Sequence, residues 1–274
     1  MDPTAAMTTA IIAICAVALG AAGLGAGIRR QREELDTLAA AVTDLSDAGG
    51  VVPAGRGVLD ELPEPVRRYL RLAVPKGSGV IRLAHLRQEG KLRTSSDSER
   101  WMPFTAEQRV APTQASFLWN ARVSAAPGVH VQVVDSLVGG RGAGRVSLLS
   151  AIQLGSDEGT PEINSGALHR FLAEAAWYPT ALLPSENLCW SPMAEDKALA
   201  TLAAGGLTVS LEFWFGKSGE IVGIYSAGRW GSFKGGYRRK PWEGHFRHYV
   251  TAQGFRVPSH GEVGWYDDGV WSRV

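Results

Sequence analysis

In Leu207-Thr208-Val209-Ser210-Leu211-Glu212-Phe213-Trp214-Phe215, an apolar residue fills every odd position, and Thr208, Ser210 and Glu212 fall between them. A period of two places alternate side chains on opposite faces of a strand. One face is then buried while the other meets water, as in an antiparallel sheet. Gly216-Lys217-Ser218-Gly219 follows as a turn, and a partner strand is expected from Glu220 to Ala227.

The same pattern extends through the chain. Phe117, Trp119, Ala121 and Val123 alternate with Leu118, Asn120, Arg122 and Ser124, and Pro127-Gly128 turns this run into Val129, Val131, Val133, Asp135 and Leu137. Met102, Phe104, Ala106 and Val110 make another one-faced strand, as do Val146, Leu148, Ile152 and Leu154, and further strands are expected over 242–250, 255–264 and 270–273. No strand–helix–strand rhythm appears, which argues against a doubly wound nucleotide-binding fold. Two amphipathic helices are expected, the first ahead of the strands and the second interrupting them. One covers residues 58–75, with Leu62, Val66, Tyr69, Leu70 and Ala73 on one face and Pro65 in its first turn. The other starts at a Thr160 or Ser165 cap, carries Leu168, Phe171, Leu172 and Ala175, and ends near Tyr178 because Pro179 follows. The expected fold is α+β and mainly antiparallel β: a curved, open, half-barrel-like sheet packed with one central helix.

The 274 residues are nearly charge-neutral at +1, with 45% hydrophobic residues, nine Trp and two Cys. This excludes wholesale disorder, a disulfide scaffold and a four-thiolate metal site. The neutrality is an average. Residues 3–28 carry no charge and end at Arg29-Arg30-Gln31-Arg32. About 20 apolar residues span a bilayer as a helix, and the lack of a basic start argues against a cleaved signal. The expected organisation is a tail over 1–6, a single transmembrane helix over 7–28, a juxtamembrane helix and linker over 29–57, and a β-rich domain over 58–274. The arginines after the segment place the C-terminal side in the cytoplasm. Leu35, Leu38, Val42 and Leu45 fall at a/d spacing, and with Gly23 and Gly27 they raise the prospect of a homodimer.

Specific catalytic signatures are absent from the sequence. In a strand, His245 and His248 would point to opposite faces, and Gly139-Gly140-Arg141-Gly142 precedes a strand rather than a helix. No cofactor and no metal is expected. Three features stand out. Asp135 occupies an otherwise apolar inward position and needs a partner, which Arg109, Arg122 or Arg170 could supply. Arg170 and Glu174 lie one helical turn apart, just before Trp177-Tyr178-Pro179. Residues 228–256 hold seven Lys/Arg and one acid, interleaved with Trp230, Phe233, Tyr237, Trp242, Phe246 and Tyr249. Such a stretch suits an anionic membrane surface or single-stranded nucleic acid, and the apolar N-terminal segment favours the membrane.

LPEPVRRYL at 62–70, PFTAEQ at 103–108, WNARV at 119–123, LAEAAWYPTALLP at 172–184, PWEG at 241–244 and GFRVPSHGEVGW at 254–265 resemble an uncharacterised bacterial family over roughly residues 58–274. That resemblance implies an N-terminal hydrophobic segment and places Arg170, Glu174, Trp177, Pro179 and Thr180 in a shared pattern. It carries no activity. The pattern of sheet and helix is more loosely similar to the half-barrels of lipoprotein carriers.

The leading expectation is a membrane-anchored module that holds a lipid or other amphiphile on an apolar concave face. Trp119, Phe213 and Phe215 would line it, with Arg170, Glu174, Trp177 and Tyr178 at its mouth and Asp135 nearby. A hydrolase using Glu174 or Asp135, and a structural or partner-docking protein, are the alternatives. Specific nucleic-acid binding is not expected.

Overall fold

The computed structural model of the chain describes residues 3–48, 56–93 and 98–274, with residues 3–19 and 56–58 by backbone course alone. Its strands form two open antiparallel sheets rather than the single curved sheet expected. The first comprises β1 (Ala84–Leu92), β2 (Met102–Ala111), β3 (Ser116–Ala126), β4 (Val129–Val138), β5 (Arg141–Leu148) and β6 (Ile152–Glu158). The second comprises β7 (Leu188–Ala194), β8 (Lys197–Ala204), β9 (Leu207–Phe215), β10 (Ile221–Phe233), β11 (Gly236–Ala252), β12 (Phe255–Asp267) and β13 (Val270–Arg273). Within each sheet, strands adjacent in space are adjacent in sequence, so short turns suffice and no crossover is needed. The strand expected over 146–154 is in fact parts of β5 and β6. Leu149 and Ser150, at φ of 53° and 55°, turn the chain between them.

The connection between the sheets carries α3 (Pro161–Glu174) and two 3-10 turns, Ala175–Trp177 and Pro179–Leu182. Thr160 caps α3, its side chain accepting from the Ile163 amide. Leu168, Phe171 and Leu172 are buried, and the helix touches β4, β5 and β6 on one side and β9 and β10 on the other. Burying each of these side chains is worth about 1.5–3 kcal/mol, so α3 is the layer that joins the sheets. A second helix, α2 (Glu64–Ala73), buries Val66, Tyr69, Leu70 and Ala73 against β8, β9 and β12. Two helices therefore fill the space where one was expected.

The long helix α1 (Pro3–Asp47) lies with its C-terminal half on the outer face of the first sheet. Val42 packs there with Ala111, Leu118 and Val134, flanked by Leu35, Leu38 and Leu45. Gln31 Nε2 donates to Ser147 Oγ at 2.6 Å, and Glu34 pairs with Arg145. The a/d stripe is thus occupied within the chain. It accounts for apolar Leu118 and Val134 on the face opposite Trp119. Of the segment expected to span a membrane, the side chains of 7–19 lie outside the described residues. Among the described residues, no helix is long and apolar enough to cross a membrane. Most of the expected linker, residues 49–55, also lies outside them.

Candidate functional site

Register places Gln108, Trp119 and Asp135 side by side on the inner face of the first sheet. Helix α3 crosses this row and lays Arg170 and Glu174 on it. Arg170 Nη1 donates to Asp135 Oδ2 at 2.6 Å and its Nε to Glu174 Oε1 at 2.8 Å. The guanidinium lies 4.6 Å from the ring centre of Trp119 and 5.3 Å from that of Phe117. Glu174 Oε2 accepts from Gln108 Nε2 at 2.6 Å, Gln88 Nε2 donates to Gln108 Oε1 at 2.8 Å, and Trp119 Nε1 donates to Gln88 Oε1 at 2.8 Å. A continuous chain of bonds therefore runs from Trp119 to Asp135. Of the three arginines weighed for Asp135, it is Arg170 that reaches it.

Burial works against the Arg170 charge, but Glu174 and then Asp135 more than offset it and raise its pKa. The paired carboxylates stay partly wet, with side chains 27% exposed at Asp135 and 14% at Glu174. Arg229 stands across the gap from the second sheet, its guanidinium 4.5 Å from the Trp242 ring and 5.1 Å from Trp265, with Nη2 donating to the Gly166 carbonyl. Burial pulls Arg229 down to about 10, and Arg170 acts in the same direction against Asp135 and Glu174. On α3, His169 is lowered to about 4 by burial, with Arg229 and Arg239 adding to the effect and a bond to the Ser165 carbonyl opposing it.

The fold therefore gathers Arg170, Glu174, Asp135 and Trp119, while the remaining candidates bond elsewhere, although the buried Tyr178 still feels the charges of Glu174 and Arg170. Trp177 donates to the Pro258 carbonyl and meets Phe246 edge-on at 5.9 Å. The buried Tyr178 donates to the Phe171 carbonyl at 2.7 Å. Phe213 and Phe215 lie in the core against Trp190, at 5.2 and 6.4 Å between ring centres. In the basic-aromatic stretch, Trp242 and Phe246 are buried rather than presented outward. Gln88, Gln108 and Arg229 are site residues that sequence reasoning missed. Gln108 had a readable signal, a polar side chain at an inward position of the 102–110 strand, as at Asp135.

As chemistry, the cluster is well satisfied. Glu174 has both oxygens engaged. Among the described residues no serine, cysteine or histidine bonds to either carboxylate, and no group of three or more His, Cys, Asp and Glu is placed to hold a metal ion.

Two adjoining cavities open beyond α3, at the edge where the sheets meet. One, of about 160 Å³, is lined by Val80, Pro112, Phe171, Leu188 and Leu202, with Thr113, Ser185 and Asn187 among its polar groups. The other, of about 130 Å³, is lined by Leu137, Leu168 and Leu207. Gln114, Ala115, Ala204 and Gly205 border both. Neither cavity is lined by the residues expected at a binding mouth.

Residues 55–273 match the model of a family of unknown function. No curated protein and no solved structure matches the chain.

Proposed function

The chain belongs to DUF6544, a family of unknown function, and we propose that it is a membrane-tethered binding module that holds a small amphiphile between its two sheets. The observation that carries this reading is the pair of adjoining cavities. Leucines and Phe171 make the interior apolar, while Thr113, Gln114, Ser185 and Asn187 supply polar groups. Ligand sites combine an apolar body with a few such polar groups. The modest volumes fit a single short alkyl chain, with its headgroup against the polar side chains, rather than a bulky lipid. The inner faces of the sheets are covered by α2 and α3, so the ligand space lies at the sheet edge and not over Phe213 and Phe215.

The tether rests on the uncharged segment of residues 3–28 and the arginines that follow it, which favour N-out, C-in placement of a bilayer-bound chain. A homodimer through the α1 stripe would have to displace that stripe from Leu118 and Val134. Hydrolysis has less support than binding, because Arg170 bridges Asp135 and Glu174 and ties both to structure.

The test uses Ala204→Phe, which projects a ring into the space both cavities share. The full chain is incubated with lauric acid and examined by native mass spectrometry. Wild type retains the fatty acid, and the variant, folded by circular dichroism, does not. Equal retention by both, or by neither, overturns the reading.

A further inference from the structure

The outward face of the second sheet carries an aromatic strip where an antiparallel sheet ordinarily presents polar residues to water. Trp214 on β9 and Tyr225 on β10 lie nearly parallel, with ring centres 6.2 Å apart. His245 on β11 stands at 83° to Trp271 on β13, 5.2 Å away, and Tyr266 on β12 meets Tyr225 at 84° and 6.3 Å. All five rings are half-buried. Beneath them Glu243 Oε1 lies 2.8 Å from His245 Nε2 and its Oε2 accepts from Tyr266 Oη at 2.7 Å, and the residue is only 8% exposed although its strand position faces outward.

Two glycines explain why the indoles lie flat. A Cβ on Gly223 would fall 2.7 Å from the Trp214 ring, and one on Gly264 would fall 2.7 Å from the Trp271 ring. Each ring thus covers bare backbone and keeps its opposite face turned outward. His245 and Tyr266 rise between these flat rings. The charges around the strip balance: Glu212, Glu243 and Glu262 stand against Lys197, Arg247 and Arg273. Glu262 pairs with both arginines at 2.8–3.1 Å, and Lys197 sits 4.7 Å from the Trp214 ring centre at one end.

This combination narrows the occupant. A nucleic acid calls for net positive charge, which the strip lacks. A bilayer calls for continuous apolar surface, and here carboxylates interrupt it. Flat ring faces alternating with hydrogen-bonding groups suit a neutral ligand with apolar C–H faces and hydroxyl edges, the make-up of a pyranose ring. We propose that the strip is a binding site for a neutral oligosaccharide, with Tyr225 and Trp271 as stacking platforms. Glu243 faces His245 on its Nε2 side. That leaves Nδ1, which has no partner among the described residues, for a sugar hydroxyl. The site lies on the opposite face of the sheet from the amphiphile cavities and does not depend on them.

The full chain is titrated by calorimetry with cellohexaose, chitohexaose and maltohexaose. At least one binds saturably, Tyr225→Ala and Trp271→Ala each weaken that binding roughly tenfold, and Ala204→Phe leaves it unchanged. A second measurement requires no variant: the bound oligosaccharide slows oxidation of Trp271 by N-bromosuccinimide, read by peptide mass mapping. Failure of all three sugars to bind overturns the proposal. So does binding that survives both substitutions and leaves Trp271 unprotected. Loss of lauric acid binding in Ala204→Phe with sugar binding retained keeps the two readings separate.

Discussion

Gly140 and Gly205 meet backbone to backbone where the two sheets close: a Cβ on Gly140 would lie 2.6 Å from the Gly205 Cα, and one on Gly205 would come closer still to Gly140. They belong to the β4–β5 and β8–β9 turns, at φ of 83° and 58°. Both also lie beside the smaller cavity. A methyl group at either position must push the turns apart as well as strain its own backbone. Gly140→Ala should cost about 2–3 kcal/mol, read as a lowered urea midpoint. Gly206→Ala, next to Gly205 in the β8–β9 turn with φ of 77° but open space around it, isolates the backbone strain and should cost about 1 kcal/mol.

Arg170 holds two carboxylates that α3 carries or covers. Arg170→Met leaves both half-buried without their cation, and folding stability should fall by about 3 kcal/mol. Adding Asp135→Asn and Glu174→Gln removes the stranded charges, so the triple variant should be more stable than the single one in chemical denaturation. A triple variant no better than Arg170→Met would mean that packing of the guanidinium on Trp119 matters more than its charge.

His169 gives the fold an acid sensitivity. Its folded-state pKa of about 4 lies below the ordinary 6.5, so the unfolded chain binds this proton more readily. The stability from its neutral burial is complete above pH 6.5 and declines as pH falls toward about 4, by up to about 3 kcal/mol. His169→Gln should flatten that part of the stability–pH curve, measured by denaturation at successive pH values.

Val42 is fully buried between α1 and the first sheet. Val42→Asp places an unpaired carboxylate against Leu118 and Val134, and α1 should lift from the sheet. Amide exchange over 31–46 should rise roughly tenfold or more while that over 207–215 stays slow. Equal acceleration in both regions would show that the helix and sheets open as one unit.

Local pattern carried much of the fold. The alternation in 207–215 and 270–273 matches β9 and β13 to the residue, and the Thr160 cap and Pro65 first turn lie where short-range chemistry puts them. These features are legible because a strand's period, a capping hydroxyl and a proline ring act on neighbouring residues. The same holds for the need of Asp135 for a cation, since a carboxylate at an inward position is costly wherever its partner comes from.

Partner choice was decided only by the tertiary structure. Alternation says which face of a strand is buried but not against what, so one sheet and two sheets read alike until α3 is seen between them. Arg109, Arg122 and Arg170 were equivalent in sequence. The crossing of α3 over the Gln108–Trp119–Asp135 row selected Arg170 and drew in Gln88 and Gln108. The α1 stripe showed itself as apolar, yet its cover is the outer face of a sheet far along the chain. The two cavities beyond α3 have the least local trace of all. Their walls come from turns and strand ends distant in sequence, and no short-range interaction records that such segments will meet.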